Sequence, residues 1–331
     1  MHSAIPLYAS TALGALIVAL SACSGLTSGS LPAQPQGAAP LSGSATPTPI
    51  PFSYQTVDDP NSNVNRVTGI NQLGKIVGWY GGGSGSGTPE SYTAEPPYTK
   101  FTNINYPGAQ STTATGLTSN YIDVGFVTNP KNLPGVWAFL RIKSLWTLIK
   151  FHGEGSGQNA VTQLLGMNDS ELGVGYYLND SGVSNAFALN GVTEQFTAIK
   201  PPDEAGAAAY GINGKGDISG TETTTGGKTE GFFLETGTYY QFTYPGAKVT
   251  EGMGLNWQDQ IVGDYEDPSG GIHGFILTDP QAGSAKRIWQ SIDEPNASGT
   301  TVVTDINDND QICGWYVDSA GNIDGFVATP K

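Results

Sequence analysis

Beyond residue 50, apolar and polar residues alternate in short runs broken by Gly, Pro, Asn and Asp. The stretch Thr68-Gly-Ile-Asn-Gln-Leu-Gly-Lys-Ile-Val-Gly-Trp-Tyr80 shows the pattern most fully and reads as a strand, a tight turn and a second strand. The chain writes it six times, starting at Gly69-Ile-Asn71, Gly116-Leu-Thr118, Gly166-Met-Asn168, Gly211-Ile-Asn213, Gly254-Leu-Asn256 and Asp305-Ile-Asn307. A second glycine follows each start at a fixed offset, at Gly78, Gly125, Gly175, Gly220, Gly263 and Gly314. The starts are 47, 50, 45, 43 and 51 residues apart, so the variation in length lies outside the hairpin. A constant hairpin with variable flanks marks a repeated supersecondary unit.

Two more strand signals complete each unit. The first holds a small residue and an aromatic: Ser91-Tyr92, Ala138-Phe139, Ala186-Phe187, Gly231-Phe232, Gly274-Phe275 and Gly325-Phe326. The second is an alternating segment ending in Pro or Gly, as at 101–108 and 196–202. No window of helical length shows a 3.6-residue period after the leader. Four strands in a unit of this length predict a propeller blade. The sixth copy stops after its third strand, and within residues 52–60 the stretch 54–60 resembles 289–295 position by position. The expected fold is therefore an all-β, six-bladed β-propeller of four-stranded antiparallel blades over 52–331. Its N-terminal strand would close the last blade and leave no free sheet edge.

The recurring residues have structural explanations. Asn or Thr opening a four-residue turn can bond its own backbone two residues on. The turn ends at Gly74, Tyr121, Glu171, Gly216, Asp259 and Asp310, and a Gly or Asp there can take a left-handed or bulged conformation. Glycine inside a strand implies close backbone approach or room for a large side chain. The six aromatics read as packing between blades.

The strings Gly-Ile-Asn and Ile-Val-Gly-x-Tyr, the triplet His273-Gly-Phe275 and the closing Phe-Thr-x-Ile-Asp-x-Pro-Gly resemble the bacterial extracellular repeat of the HAF type. Only the fifth copy keeps the His of that triplet. The resemblance implies export and a propeller-like fold. It implies no reaction and no ligand.

The N-terminus fits export. Residues 12–20 form an uncharged apolar run, too short to span a membrane and suited to a signal-peptide core. Residues 1–11 carry no Lys or Arg, where such peptides normally begin with positive charge. Leu20-Ser-Ala-Cys23 resembles a bacterial lipobox, which implies a signal peptide at 1–22 and an acylated Cys23. Ser24 after it resembles outer-membrane sorting. Residues 24–51 are uncharged Ser, Gly, Pro, Ala and Thr-rich sequence, a flexible tether of roughly 30 Å average span. The expected location is outside the cell, lipid-anchored at the outer membrane or cell surface, with no membrane contact except the anchor.

The chain carries 14 basic and 29 acidic residues, a net charge of −15. That balance disfavours nucleic acid and anionic lipid and leaves cationic partners, metal ions or neutral glycans. The two cysteines are Cys23 and Cys313; the first is the anchor, so no intrachain disulfide is expected. No Gly-x-Ser-x-Gly elbow, phosphate loop, His-Glu-x-x-His or Cys-x-x-Cys occurs.

Function is expected where the copies differ, at the loops joining second to third strands and each fourth strand to the next blade. That end of the ring gathers acids, which read either as a solvated acidic rim or as an acid/base pair or cation cage. Asp59, Asp203, Glu266, Asp267, Asp293 and Asp318 are the binding candidates. Asp58, Glu204, Glu251, Glu294, His152 and His273 are the candidates for catalysis. A joint site for the two histidines would lie at the axis. The run Asp305 to Asp310 is rich in oxygen but lacks the Gly and the distal Glu of an EF-hand. No cofactor or metal is therefore expected, with calcium the one candidate. The first reading is a surface-anchored, monomeric binding or scaffold module for a protein or glycan partner. The alternative is a propeller hydrolase or lyase acting on a lactone or polysaccharide through axial carboxylates.

Overall fold

The computed structural model describes residues 49–58, 62–81, 88–152, 155–157, 160–283 and 286–331. All the strands lie within the compact unit Pro51–Lys331. Cys23, the signal sequence, nearly all of the tether, Asp59 and loop residues 82–87 lie outside the described residues.

The N-terminal strand is β1 (Phe52–Val57). The first unit supplies β2 (Asn65–Ile70), β3 (Ile76–Tyr80), β4 (Glu90–Ala94) and β5 (Phe101–Asn103). The second supplies β6 (Ser111–Leu117), β7 (Ile122–Thr128), β8 (Val136–Ile142) and β9 (Leu145–Ile149). The third supplies β10 (Val161–Met167), β11 (Leu172–Leu178), β12 (Ser184–Asn190) and β13 (Gln195–Ala198). The fourth supplies β14 (Glu204–Ile212), β15 (Ile218–Thr224), β16 (Thr229–Glu235) and β17 (Thr238–Phe242). The fifth supplies β18 (Val249–Leu255), β19 (Ile261–Glu266), β20 (Ile272–Thr278) and β21 (Ile288–Ile292). The sixth supplies β22 (Thr301–Ile306), β23 (Ile312–Val317) and β24 (Ile323–Pro330).

These form four four-stranded sheets and one eight-stranded sheet. In the latter, β6–β9 and β10–β13 meet at a single parallel pair, Val136 with Val161. The architecture is an all-β propeller with four-stranded antiparallel blades. As the sequence predicts, β1 pairs antiparallel with β24, from Phe52 opposite Pro330 to Val57 opposite Gly325. The first strand of each unit packs on the preceding unit, and β2 packs on β22, β23 and β24 of the last one.

The glycine–aromatic rule has a direct cause. A Cβ at Gly78, Gly125, Gly175, Gly220, Gly263 or Gly314 would strike a carbonyl of the bulged first strand, and beside it the ring of Tyr92, Phe139, Phe187, Phe232, Phe275 or Phe326. All six rings are fully buried. They pack across unit boundaries, as Phe139 does with Val77 and Phe187 with Val124.

The turn asparagines do more than the sequence shows. In five copies Oδ1 accepts backbone N–H bonds from two and four residues on, as Asn71 does from Leu73 and Lys75 at 3.0 Å each. The last turn residue is left-handed in all six, with φ from 58 to 90°. The Nδ2 group then donates to the carbonyl of the equivalent residue in the next unit. Asn71 reaches Thr118 at 3.2 Å, Asn168 reaches Asn213 at 2.8 Å, and Asn213 reaches Asn256 at 3.2 Å. Asn256 reaches Asn307 at 3.5 Å, and Asn307 returns to Asn71 at 2.9 Å. Thr118 makes only its own turn, accepting from Ile122 N–H at 3.1 Å. There Asp169 bridges the junction instead, taking Ser119 N–H at 2.7 Å.

The seam between last and first units has its own latch. Where the other five copies hold glycine, Asp305 accepts the Ile70 N–H at 3.0 Å. Thr304 Oγ1 donates to Val67 O at 3.0 Å, repeating the bonds of Thr68 to Ala114 O and Thr115 to Leu164 O at 2.7 Å each. The Arg66 guanidinium lies 5.1 Å from the Trp79 ring and 4.1 Å from the Trp315 ring.

Asn307→Asp keeps the acceptor and deletes the donor that reaches Asn71 and Gln311. Urea unfolding should show a loss of about 2–3 kcal/mol. Thr118→Asn, which supplies the missing donor, should gain about 1 kcal/mol. Equal stability of Asn307→Asp and the parent would remove the ring of amides as a stabilising element.

Candidate functional site

Antiparallel topology puts the hairpin turns at one end of the ring. The β19–β20 loop and the residue after β21 lie at the other, where the sequence gathers its acids. Of the candidates there, the structure joins three: His273, Asp267 and Asp293. His273 Nδ1 lies 2.7 Å from Asp293 Oδ1 and Nε2 lies 3.5 Å from Asp267 Oδ2. Asp267 is fixed by the loop it opens, accepting the N–H groups of Ser269 at 2.7 Å and Gly271 at 2.8 Å. The imidazole stacks on Tyr265 at 5.2 Å, and Tyr265 stacks on Tyr244 at 3.6 Å. The Tyr265 hydroxyl meets Ser291 Oγ at 3.0 Å. Asp293 and Ser291 are exposed, and His273 and Tyr244 partly so.

The electrostatics follow from these contacts. Partial burial works against the His273 proton, but the hydrogen bonds and charges of Asp293 and Asp267 prevail and raise its pKa above the ordinary histidine value. The hydrogen bonds from Ser269 and Gly271 hold the Asp267 carboxyl well below the usual carboxylate range. Both imidazole nitrogens face carboxylates, so neither is turned toward a serine or cysteine. A ring that holds its proton this way is a poor general base near neutrality. The cluster presents fixed acceptors, a cation and an aromatic flank, which suits holding a polyhydroxylated ligand.

The other candidates are separate. Asp58 accepts from Asn65 Nδ2 at 2.7 Å, and Asp203 from the Thr225 hydroxyl at 2.5 Å. Glu266 pairs with Lys248 at 3.1 Å. Glu294 is buried and accepts the Asn296 N–H at 2.6 Å. Asp318 caps its own loop through Ala320 and Asn322, both at 2.8 Å. Glu204 opens β14 with Oε2 buried and unpartnered. His152 follows β9 in an exposed turn, away from His273.

The axis departs from the expectation. The first strands of all six units line a cavity of 340 Å³, with Asp169, Asp305 and Asp308 its acids. Asp58, Glu204, Glu251 and Glu294 do not line it. Repeat position explains this: the four come from connections between units or from a residue turned into the sheet stack. Glu251 is buried opposite Asp264 in the β18–β19 pair. Burial pushes both carboxyls up, and the Asp264 charge adds to the effect on Glu251. Asp264 Oδ1 has no hydrogen-bond partner.

Asp264 was legible but missed. The residue after the second glycine is Trp79, Phe126, Tyr176, Thr221 or Trp315 in the other copies, so a carboxylate there breaks a mostly apolar column. Asp305 likewise breaks a column of glycines. One further acidic group, Asp217, Glu235 and Asp259, brings its oxygens within 4.8 Å of one another. Lys215 Nζ already occupies that cluster, 2.5 Å from Asp259 and 3.4 Å from Asp217.

No protein-family model matches the chain, and no curated protein matches it. A protein of unknown function from Dyadobacter fermentans aligns with TM-score 0.52 at 11% identity, over 84% of this chain and 99% of that one. The fungal Aleuria aurantia lectin, described as a six-bladed β-propeller with a novel fucose recognition mode, aligns at 0.48 and 12% identity over 79% and 90%. A Hadza microbial sialidase aligns at 0.48 and 10% identity over 81% and 65%. At such identities the likeness is one of fold.

Two measurements test the site. Asp293→Asn should lower the His273 titration midpoint, followed by NMR, toward about 6.5; an unchanged midpoint would show that Asp293 does not hold the proton. For Glu251 and Asp264 the folded-state pKa values are raised. Their contribution to stability is full below the ordinary carboxylate range near ~4 and is lost as pH rises through the folded values. Asp264→Asn should therefore raise the melting temperature at pH 8 and leave it unchanged at pH 4.

Proposed function

We propose that this protein is a surface-anchored, monomeric binding module that engages a glycan through the loop end of a six-bladed propeller. The blade count treats the eight-stranded sheet as two blades, since a single residue pair joins its halves. The His273 cluster carries the binding reading. Exposed Asp293 and Ser291 offer hydrogen bonds to sugar hydroxyls, and Tyr244 offers a ring to a sugar's C–H face. Both nitrogens of His273 are committed to carboxylates, which favours holding a ligand over activating a nucleophile. The lipobox-like Leu20 to Cys23 and the uncharged tether support export and lipid anchoring, and the HAF-type repeat that the hairpins resemble implies export.

Neutral oligosaccharides screened against the full chain should yield a ligand whose affinity falls about tenfold with Asp293→Ala, a loss of about 1.4 kcal/mol. Absence of any glycan ligand, or one indifferent to His273→Ala and Asp293→Ala, would overturn the reading. Metabolic labelling with palmitate, lost in Cys23→Ser, checks the anchor.

A further inference from the structure

The opposite end of the ring carries a second feature, a groove of 740 Å³ between the first two units. Its charge runs against that of the protein. The chain has 14 Lys and Arg residues at a net charge of −15. Four of those cations, Lys75, Lys100, Arg141 and Lys143, line this groove, against two carboxylates, Glu95 and Asp123. Asp123 is buried and held by Arg141. Lys75 meets exposed Glu95 only at 4.0 Å. Lys100 and Lys143 are exposed, and neither makes an ion pair among the described residues.

An independent observation falls at the same place. Tyr121 lines the groove 62% exposed, at φ 68°. The equivalent turn residue is Gly, Glu, Gly, Asp and Asp in the other copies. A bulky residue is disfavoured in the left-handed region, and an exposed one gains little packing in return. Lys75 Nζ lies 5.8 Å from its ring. The fold thus holds an aromatic ring open to solvent among cations, in a groove of ligand-binding size. A ring face suits the C–H face of a sugar, and unpaired ammonium groups suit an acidic substituent on it.

We propose that this groove binds an anionic glycan, a sugar chain bearing carboxylate or sulfate groups. The inference does not rest on the loop-end reading, because the two sites share no residue and lie at opposite ends. Isothermal titration of the full chain with an oligouronate, a sulfated oligosaccharide and a neutral one of equal length tests it. One or both charged ligands should bind more tightly than the neutral one, more weakly as salt rises, and His273→Ala should leave this unchanged. The double variant Lys100→Glu, Lys143→Glu should lower affinity at least tenfold. Tyr121→Gly should also lower it about tenfold, with a melting temperature equal to or above the parent's, because glycine relieves the left-handed backbone. Binding of neither charged glycan, unchanged affinity in either variant, or binding only to vesicles of anionic lipid would overturn the proposal.

Discussion

A carboxamide side chain repeated around the ring carries two demands at once. Its oxygen must close a turn within one unit, and its nitrogen must reach the backbone of the next. Of the side chains that open such turns, only asparagine has both an acceptor and a donor in that geometry. Aspartate would keep the turn and lose the link; threonine does so at Thr118. Each bond contributes modestly, but the last one, from Asn307 to Asn71, joins units 236 residues apart in sequence. The repeat is thus constrained by its neighbours as much as by its own turn.

The second constraint lies within each unit. A glycine on the second strand makes room for an aromatic from the third, and the bulged first strand leaves no space for a Cβ between them. The places where the chain departs from its own rules coincide with chemistry. The second copy gives up the asparagine at Thr118 and places an aromatic in a left-handed position at Tyr121, beside the basic groove. The fifth copy replaces an apolar column with Asp264, opposite Glu251, and keeps the one repeat histidine. Burying two carboxyls together costs stability unless one is protonated. The sixth copy exchanges glycine for Asp305 at the seam, where its carboxylate bonds across to the first unit.

Strand order, turn chemistry, the glycine–aromatic pairing and the closing role of residues 52–57 were all legible in the sequence. They depend on spacings of a few residues repeated six times, and on the likeness of 54–60 to 289–295. Local backbone geometry and side-chain alternation are properties of neighbouring residues, so a linear pattern records them.

Tertiary structure alone decided which candidate residues meet. His273, Asp267 and Asp293 converge because a loop and two strand ends fold over Tyr265, whereas Asp58, Glu204, Glu251 and Glu294 go to separate surroundings. The axial cavity and the basic groove draw residues from two or more units, and their charge depends on which side chains are buried and which are paired. Contact, desolvation and pairing arise only once distant segments are brought together in space. The sequence therefore determined the ring, and packing between its units determined the sites on it.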